Sequence, residues 1–242
     1  MNLNESDPAV QLKLRLLERA MPARDAVVFG DMWGVEGAYC VRCLDLGCES
    51  VTLVDVAESD GWLETRRAHP SLNQYKGDFS DPLFMASIRE TYEVGVAYDV
   101  LLHQATLLHA LHLMLEKVSE RVCIVQPMLV EQEHPNTLVF LPGNSAREEL
   151  DPLAGDHEEW LMFDQLLVNS AAWLWAMTPS FLVSALRSEG FELDEEERLD
   201  GGFPNPRWTW WGCVARRERA LHPEHWSHHE KVRELWPTAH GP

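Results

Sequence analysis

The chain has 242 residues, with 20 lysines and arginines against 39 aspartates and glutamates, so its formal net charge is −19. A chain of this length fits one large domain that buries enough surface to fold without a disulfide or a metal. The strong negative charge repels phosphate backbones and anionic lipid heads, which argues against nucleic acid and membrane partners.

The five cysteines are an odd number in a chain too long for a disulfide scaffold, which indicates reduced thiols. No charged and then apolar leader follows Met1, and no apolar run reaches the roughly 18 residues of a membrane span. We therefore expect a cytoplasmic protein. Cys40 and Cys43 form a C-x-x-C inside a helical pattern without a second pair, so we expect them to pack, and we predict no metal site.

Apolar strands and amphipathic helices alternate regularly through the first half of the chain, after an initial amphipathic helix within residues 1–22. This alternation is typical of βαβ units and of a parallel sheet covered on both faces. The sequence therefore predicts an α/β fold with a doubly wound, mostly parallel sheet. The predicted strands are 26–30, 51–55, 73–76, 94–102 and 122–126, and the predicted helices between them are 34–46, 58–68, 82–90 and 107–118.

The regular pattern ends at Pro127 and returns at Thr178, which is predicted to cap a late helix that begins at Pro179. The stretch between them is rich in proline and glycine and then contains a predicted aromatic helix around 158–175. About 50 residues are too many for an ordinary connection, so we expect an insertion that folds over the substrate. The predicted segments of this single domain are a cofactor-binding half over 23–127, the insertion over 128–177, a final helix and two strands over 178–215, and a polar tail over 216–242.

Glycines and polar side chains follow the predicted strands at the points where the strands end. Ligands bind beyond the carboxyl ends of parallel strands, near the point where the strand order reverses. Glycines after the first strand let the backbone approach a ligand, and Asp55 is suited to accept hydrogen bonds from a ribose diol. Asp78 and Phe79 would offer an acceptor and an aromatic face to an adenine. Each feature alone is also expected of a cap or a turn, so the prediction of a nucleoside-containing cofactor depends on their joint occurrence.

The glycines at 30, 34 and 37 do not match the dinucleotide fingerprint, and no phosphate-loop motif is present. The ordered series instead resembles the class I S-adenosylmethionine-dependent methyltransferases over roughly residues 27–215. The first motif departs from the family pattern, because Trp33 and Val35 stand where the family has glycines. The matching segments are the glycine turn over 27–37, the strand over 51–55, the turn over 77–79, the segment over 98–103, and the late helix and strands.

The resemblance implies a Rossmann-like methyltransferase fold with an antiparallel last strand. It also implies S-adenosylmethionine as the cofactor and S-adenosylhomocysteine as the product. By the same resemblance, Asp55 takes the ribose hydroxyls, and Asp78 and Phe79 contact the adenine. The residues assigned to the methionine part of the cofactor are Asp31, Trp33, Gly34 and Gly37.

Methyl transfer is an in-line displacement at a sulfonium methyl group, so the protein mainly positions the nucleophile and removes a proton. His103 follows the fourth strand, and because an imidazole side chain suits proton transfer near neutral pH, it is the best candidate base. His109 is a second candidate, with a core or capping role as the alternative. Gln104 and several tryptophans are candidates for the acceptor pocket, although tryptophans are as often core residues. The tryptophans concerned are Trp160, Trp173, Trp175 and Trp208.

The leading hypothesis is a methyltransferase that acts at oxygen or nitrogen of a small molecule. Residues 107–111 are similar to a segment of branches related to bacterial tRNA wobble-uridine modifying enzymes, which suggests a tRNA-modifying methyltransferase as an alternative. The charge of −19 weighs against that alternative. The degenerate glycine turn suggests a third reading, a catalytically silent cofactor-binding scaffold. The sequence identifies neither the acceptor nor the oligomeric state, and a homodimer is compatible with it.

Overall fold

A seven-stranded sheet forms the centre of the computed structural model, which describes residues 3–31, 35–89, 91–130, 135–140, 175–203 and 205–218. None of the helices in these ranges could span a membrane. The strands are β1 (Asp25–Phe29), β2 (Ser50–Asp55), β3 (Leu72–Lys76), β4 (Tyr92–Tyr98), β5 (Val118–Leu129), β6 (Leu138–Phe140), β7 (Trp175–Met177), β8 (Phe191–Leu199) and β9 (Trp208–Arg217). The helices are α1 (Pro8–Ala20), α2 (Ala38–Asp45), α3 (Asp60–Ala68), α4 (Pro82–Ser87), α5 (Leu107–Glu116) and α6 (Pro179–Ser188).

The order of the strands in the main sheet is β3-β2-β1-β4-β5-β9-β8. The first five strands pair in parallel, whereas β9 runs antiparallel to both of its neighbours, β5 and β8. The predicted α/β class, the doubly wound parallel sheet and the antiparallel last strand are confirmed. The chain order reverses between β1 and β4, so the carboxyl ends of these two strands define the place where a ligand is expected.

Two hydrophobic clusters cover the two faces of the sheet. Buried residues of α1, α2 and α3 pack on one face, and those of α4, α5 and α6 pack on the other. The helix α1 lies against β5, β8 and β9, and its buried positions follow the spacing of an amphipathic helix. These positions are Ala9, Leu12, Lys13, Leu16, Leu17 and Ala20.

Side-chain caps fix the starts of three helices. Asp7, Ser59 and Asp81 each accept a hydrogen bond from a backbone N–H in the first turn of α1, α3 and α4, which satisfies a donor that the helix itself leaves unpaired. Thr178 stands at the predicted N-cap of α6, but its hydroxyl does not cap that helix. It accepts a hydrogen bond from the Thr137 N–H at 3.0 Å instead, which ties the strand β6 to the start of α6.

Two strands next to the candidate site differ from the predicted lengths. The strand predicted over 94–102 ends at Tyr98, because Asp99 has a left-handed φ of +53° that breaks the extended backbone. The strand predicted to end at Gln126 continues through Pro127. β4 ends opposite Val125, so beyond that residue β5 pairs only with β9 among the described strands. This part of β5 is an edge on the β4 side, and a proline is tolerated in an edge strand because its missing N–H is not needed there.

The insertion after the fifth strand begins beyond Leu129 and contributes a small antiparallel sheet of β6 and β7. Trp175 belongs to β7, so the prediction that it ends an aromatic helix is wrong. The remainder of that predicted helix, with Trp160 and Trp173, lies outside the described residues, as does most of the tail. Both short strands are joined to the main sheet, since β7 contacts β5 and the turn after β4.

Candidate functional site

The turns after β1 and β4 are in direct contact at the point where the strand order reverses. Gly30 follows β1 with φ +70°, and a Cβ atom at this position would lie 2.6 Å from Cγ2 of Val100. Only glycine fits there, because both the backbone conformation and the space exclude a side chain. The close approach brings the glycine turn and the residues after β4 to one place.

The glycine turn ends at Gly37, which precedes α2 with φ +81°. A Cβ atom here would lie 2.3 Å from the ring of Trp62, so the turn packs tightly on α3. The Gly37 N–H donates to the Asp31 carbonyl at 2.7 Å, which closes the turn. Gly37 is therefore required by the backbone, whereas the predicted cofactor residues Trp33 and Gly34 lie outside the described residues.

Asp31 is a buried carboxylate at the end of β1, with 2% of its surface exposed. Its Oδ2 accepts a hydrogen bond from the Cys40 N–H at 3.0 Å, and its Oδ1 has no hydrogen-bond partner among the described residues. Burial raises the pKa of this carboxyl from 3.8 to about 7, and the nearby Asp55 carboxylate adds to the rise. An acceptor that is buried without a partner is a candidate ligand contact.

Asp55 ends β2, the neighbour of β1, and is also buried, with 4% of its surface exposed. Its Oδ1 accepts a hydrogen bond from the Ala57 N–H at 2.9 Å, which orients the carboxylate at the edge of the sheet. The structure thus brings Asp31 and Asp55 to adjacent strand ends, as the sequence predicts.

Of the predicted adenine contacts, Asp78 stabilises the turn after β3 and Phe79 packs in the hydrophobic core. Asp78 is exposed, and its Oδ1 accepts a hydrogen bond from the Ser80 N–H at 2.8 Å. Phe79 is 3% exposed and packs edge-on against Phe29, with ring centroids 5.5 Å apart. The aromatic face expected for an adenine is therefore directed into the core, and contact of either residue with a cofactor stays a prediction.

The residues after β4 form a tight turn at the centre of the site. His103 ends a 3-10 turn over Leu101–His103 and is half-buried, and Gln104 caps this turn. The indole Nε1 of Trp175 donates to the Gln104 carbonyl at 2.7 Å. The structure therefore joins Trp175 and Gln104, two predicted acceptor residues, and brings the insertion to the candidate base.

The other two candidates occupy different surroundings. His109 is exposed on α5, away from the buried positions of that helix. Trp208 is 1% exposed and packs with Leu129 and Ala176 at the end of β5. Trp208 thus has the core role that the sequence left open, at a place next to the insertion.

An open cavity of about 360 Å³ lies beyond the carboxyl end of β5. This volume falls in the range of small-molecule sites. The cavity is on the same edge of the sheet as Asp31 and His103, beside the starts of α6 and β9. Its lining residues are Leu129, Val130, Pro179, Glu196, Glu197, Arg198, Thr209 and Trp211.

Sequence reasoning missed an ion pair between Lys13 of α1 and Asp99, the residue that follows β4. Lys13 is only 8% exposed. The position of Lys13 on the apolar stripe of an amphipathic helix is the signal that could have found it. Asp31, Asp55 and Asp99 thus follow the carboxyl ends of three neighbouring strands, with Lys13 as a buried cation beside them. Such an edge can hold a ligand that carries a positive charge and a diol.

The chain is similar in structure to several solved proteins. One is the 1,6-didemethyltoxoflavin-N1-methyltransferase of Burkholderia thailandensis, whose structure contains 1,6-didemethyltoxoflavin and S-adenosylhomocysteine. The TM-score is 0.58 at 15% identity, over 88% of this chain and 79% of that chain. For the magnesium protoporphyrin IX methyltransferase of Synechocystis PCC 6803, solved with bound SAH, the TM-score is 0.52 at 9% identity over 90% of both chains. The cyclase SpnF matches with a TM-score of 0.58 and 11% identity over 86% of this chain and 81% of that one. No family model and no curated protein matches the chain.

The chain therefore has the fold of the class I S-adenosylmethionine-dependent methyltransferases, as the sequence motifs predict. At these identities the likeness defines the fold, and a shared fold does not by itself identify the reaction.

Asp31→Asn tests the buried carboxylate through the pH dependence of stability. The raised pKa means that the folded state keeps a proton which the unfolded state releases, so this group stabilises the wild-type protein less as pH rises from about 4 to above 7. The free energy of unfolding of the wild type should fall relative to Asp31→Asn between about pH 4 and pH 7 and level off above that, each pKa unit corresponding to about 1.4 kcal/mol. Urea unfolding at a series of pH values measures this free energy. Asp45→Asn, at an exposed position of α2, is the control, and parallel pH profiles for wild type and Asp31→Asn would contradict the assignment.

Proposed function

We propose that this protein is an S-adenosylmethionine-dependent methyltransferase that methylates oxygen or nitrogen of a small molecule. The observation that carries the proposal is the convergence of the glycine turn, Asp31 and Asp55 at the carboxyl ends of β1 and β2. This edge lies next to the point where the strand order reverses. The methyltransferases of similar structure named above have the same fold.

The described residues fit the cofactor. Gly30 and Gly37 have no room for a Cβ atom, so the backbone itself lines the turn, and Asp31 Oδ1 is a buried acceptor without a partner among the described residues. Asp55 would accept hydrogen bonds from the ribose diol, and the glycine turn with Asp31 would hold the methionine part. When bound, S-adenosylmethionine supplies an electrophilic methyl group on a sulfonium centre.

His103 is proposed as the group that takes the proton from the acceptor. It lies in the turn after β4, the strand next to β1, at the edge where the cofactor is expected. An imidazole titrates near neutral pH, which suits a base that acts on a hydroxyl or an amine. His109 stays a weaker candidate, because its side chain is exposed on α5.

The acceptor is proposed to bind between the turn after β4 and the insertion. Trp175 is fixed by its hydrogen bond to Gln104, and its ring packs against Phe140 with centroids 4.9 Å apart. Phe140 is 52% exposed, so this aromatic pair can offer an apolar wall to a ligand. A closed insertion would exclude water from the methyl donor, and the cavity beside Leu129 lies on the same edge of the sheet.

The likeness to SpnF favours one alternative, in which the fold serves a reaction other than methyl transfer, or none. The absence of turnover with every acceptor, together with tight binding of S-adenosylhomocysteine, would identify that case. A tRNA substrate is disfavoured by the net charge of −19, since phosphate contacts need basic side chains.

S-adenosylhomocysteine should bind the wild-type protein and stabilise it. Ligand at 100 times its dissociation constant adds about 2.7 kcal/mol to the free energy of unfolding.

Asp55→Asn keeps an acceptor for the Ala57 N–H but loses the charge, so the binding free energy for S-adenosylhomocysteine should weaken by about 1.5–3 kcal/mol. Titration calorimetry measures both, with Asp45→Asn as the control. No response of the wild type at millimolar ligand refutes the proposed cofactor, whereas an unchanged affinity of Asp55→Asn refutes only the ribose contact.

His103→Gln should lower turnover about 100- to 10,000-fold and leave the affinity for S-adenosylhomocysteine nearly unchanged, because a proton-transfer role acts only in the transition state. The measurement is release of S-adenosylhomocysteine with an acceptor found by screening phenols and amines. His69→Gln, at the end of α3, is the matched control. If turnover and cofactor affinity fell in equal proportion, His103 would be a cofactor contact and not the base.

A further inference from the structure

Lys13 is a buried cation on the apolar side of α1, surrounded by aromatic rings. Its ammonium nitrogen lies 5.0 Å from the ring centroid of Trp210, 5.8 Å from that of Tyr39 and 5.9 Å from that of Tyr98. Cations over aromatic faces are attracted by the ring electrons, which offsets part of the lost hydration. The ammonium also forms the ion pair with Asp99.

This pair lies at the reversal of strand order. Asp99 directly follows β4, and Tyr39 belongs to the first turn of α2, immediately after the glycine turn. The Tyr98 hydroxyl donates to the Lys13 carbonyl at 3.0 Å, which holds α1 in register with the end of β4. The pair therefore borders the place proposed for the methionine part of the cofactor.

A purely structural role does not account for the pair. An apolar residue at position 13 would fill the stripe of α1 without the desolvation that a buried charge requires. Asp99 also holds a left-handed φ of +53°, which is unfavourable for a residue other than glycine. Its Oδ1 is buried and has no hydrogen-bond partner among the described residues, while 33% of the side chain is exposed. Three unfavourable features at one spot indicate a binding role.

We propose that Lys13 and Asp99 together recognise the amino-acid end of the cofactor. An ammonium group has three N–H donors, and Asp99 is the one hydrogen-bond partner of Lys13 Nζ in the described part of the chain, so donors stay available for the cofactor carboxylate. Oδ1 of Asp99 would accept from the cofactor's α-ammonium group. A neighbouring cation and anion match the opposite charges of an α-amino acid, which neither adenosine nor a simple amine does. This inference rests on the proposed cofactor.

If so, α1 is part of the cofactor site and not only a cover for the sheet. The helix would supply the buried basic side chain that the described residues place at this acidic edge. Specificity for the intact amino acid would then come from a segment that precedes the sheet in the chain.

Truncated ligands test the proposal. Calorimetry compares S-adenosylhomocysteine with its decarboxylated analogue, its deaminated analogue and methylthioadenosine, which lacks the amino acid altogether. Wild-type protein should bind the decarboxylated and the deaminated analogue each about 10- to 100-fold more weakly, the effect of losing one charged hydrogen bond. Methylthioadenosine loses both contacts and should bind more weakly still. Lys13→Met should lower affinity for S-adenosylhomocysteine by a similar factor, discriminate little against the decarboxylated analogue, and bind methylthioadenosine as the wild type does.

Arg15→Met is the matched control, since Arg15 lies on the same helix but pairs with Glu197, and it should bind all four ligands like the wild type. Asp99→Asn gives an independent route and should lose discrimination against the deaminated analogue. The proposal is overturned if wild type binds the decarboxylated ligand as tightly as S-adenosylhomocysteine, if Lys13→Met keeps the discrimination, or if it weakens methylthioadenosine equally. Wild type that binds none of the four ligands would overturn the proposed cofactor as well, which separates the two failures.

Discussion

The close approach of Gly30 to Val100 is the constraint on which the rest of the site depends. With no room for a Cβ atom at Gly30, the turn after β1 can lie directly against the turn after β4. That contact brings the turn that begins with the buried Asp31 against the turn after β4, which contains Asp99 and His103. Larger side chains at Gly30 would separate the two turns, so the geometry of the site is set by the absence of a side chain.

Electrostatics at this edge favour a cationic ligand. Asp31, Asp55 and Asp99 follow neighbouring strands, and the burial of Asp31 makes its charge unfavourable without a partner. A ligand with positive charge would restore that partner, whereas a phosphate-rich ligand would be repelled by the same groups. S-adenosylmethionine carries both an ammonium and a sulfonium charge. The cofactor also carries a carboxylate. Lys13, the one buried cation in the described part of this edge, has the opposite charge and would attract it.

The sequence predicts the sheet well because local signals agree with the fold: apolar strands alternate with amphipathic helices, and caps such as Ser59 mark the helix starts. It fails where tertiary contacts decide. The left-handed Asp99 ends β4 early, and Pro127 stays in a strand because that stretch lacks a second neighbour. Trp175 pairs in β7, although its segment has a helical pattern. Asp31 and Asp55 were predicted from their positions at strand ends. Lys13 and Asp99 were not, although the place of Lys13 on the apolar stripe of α1 indicates that it is buried.

A crystal structure of the protein with S-adenosylhomocysteine is the measurement that tests the central claim most directly. The ribose hydroxyls should bind Asp55, and the amino-acid end should lie between the glycine turn and the Lys13–Asp99 pair. Density for the ligand anywhere other than the carboxyl ends of β1 and β4, or an amino-acid end that points away from Asp31 and Lys13, would contradict the account.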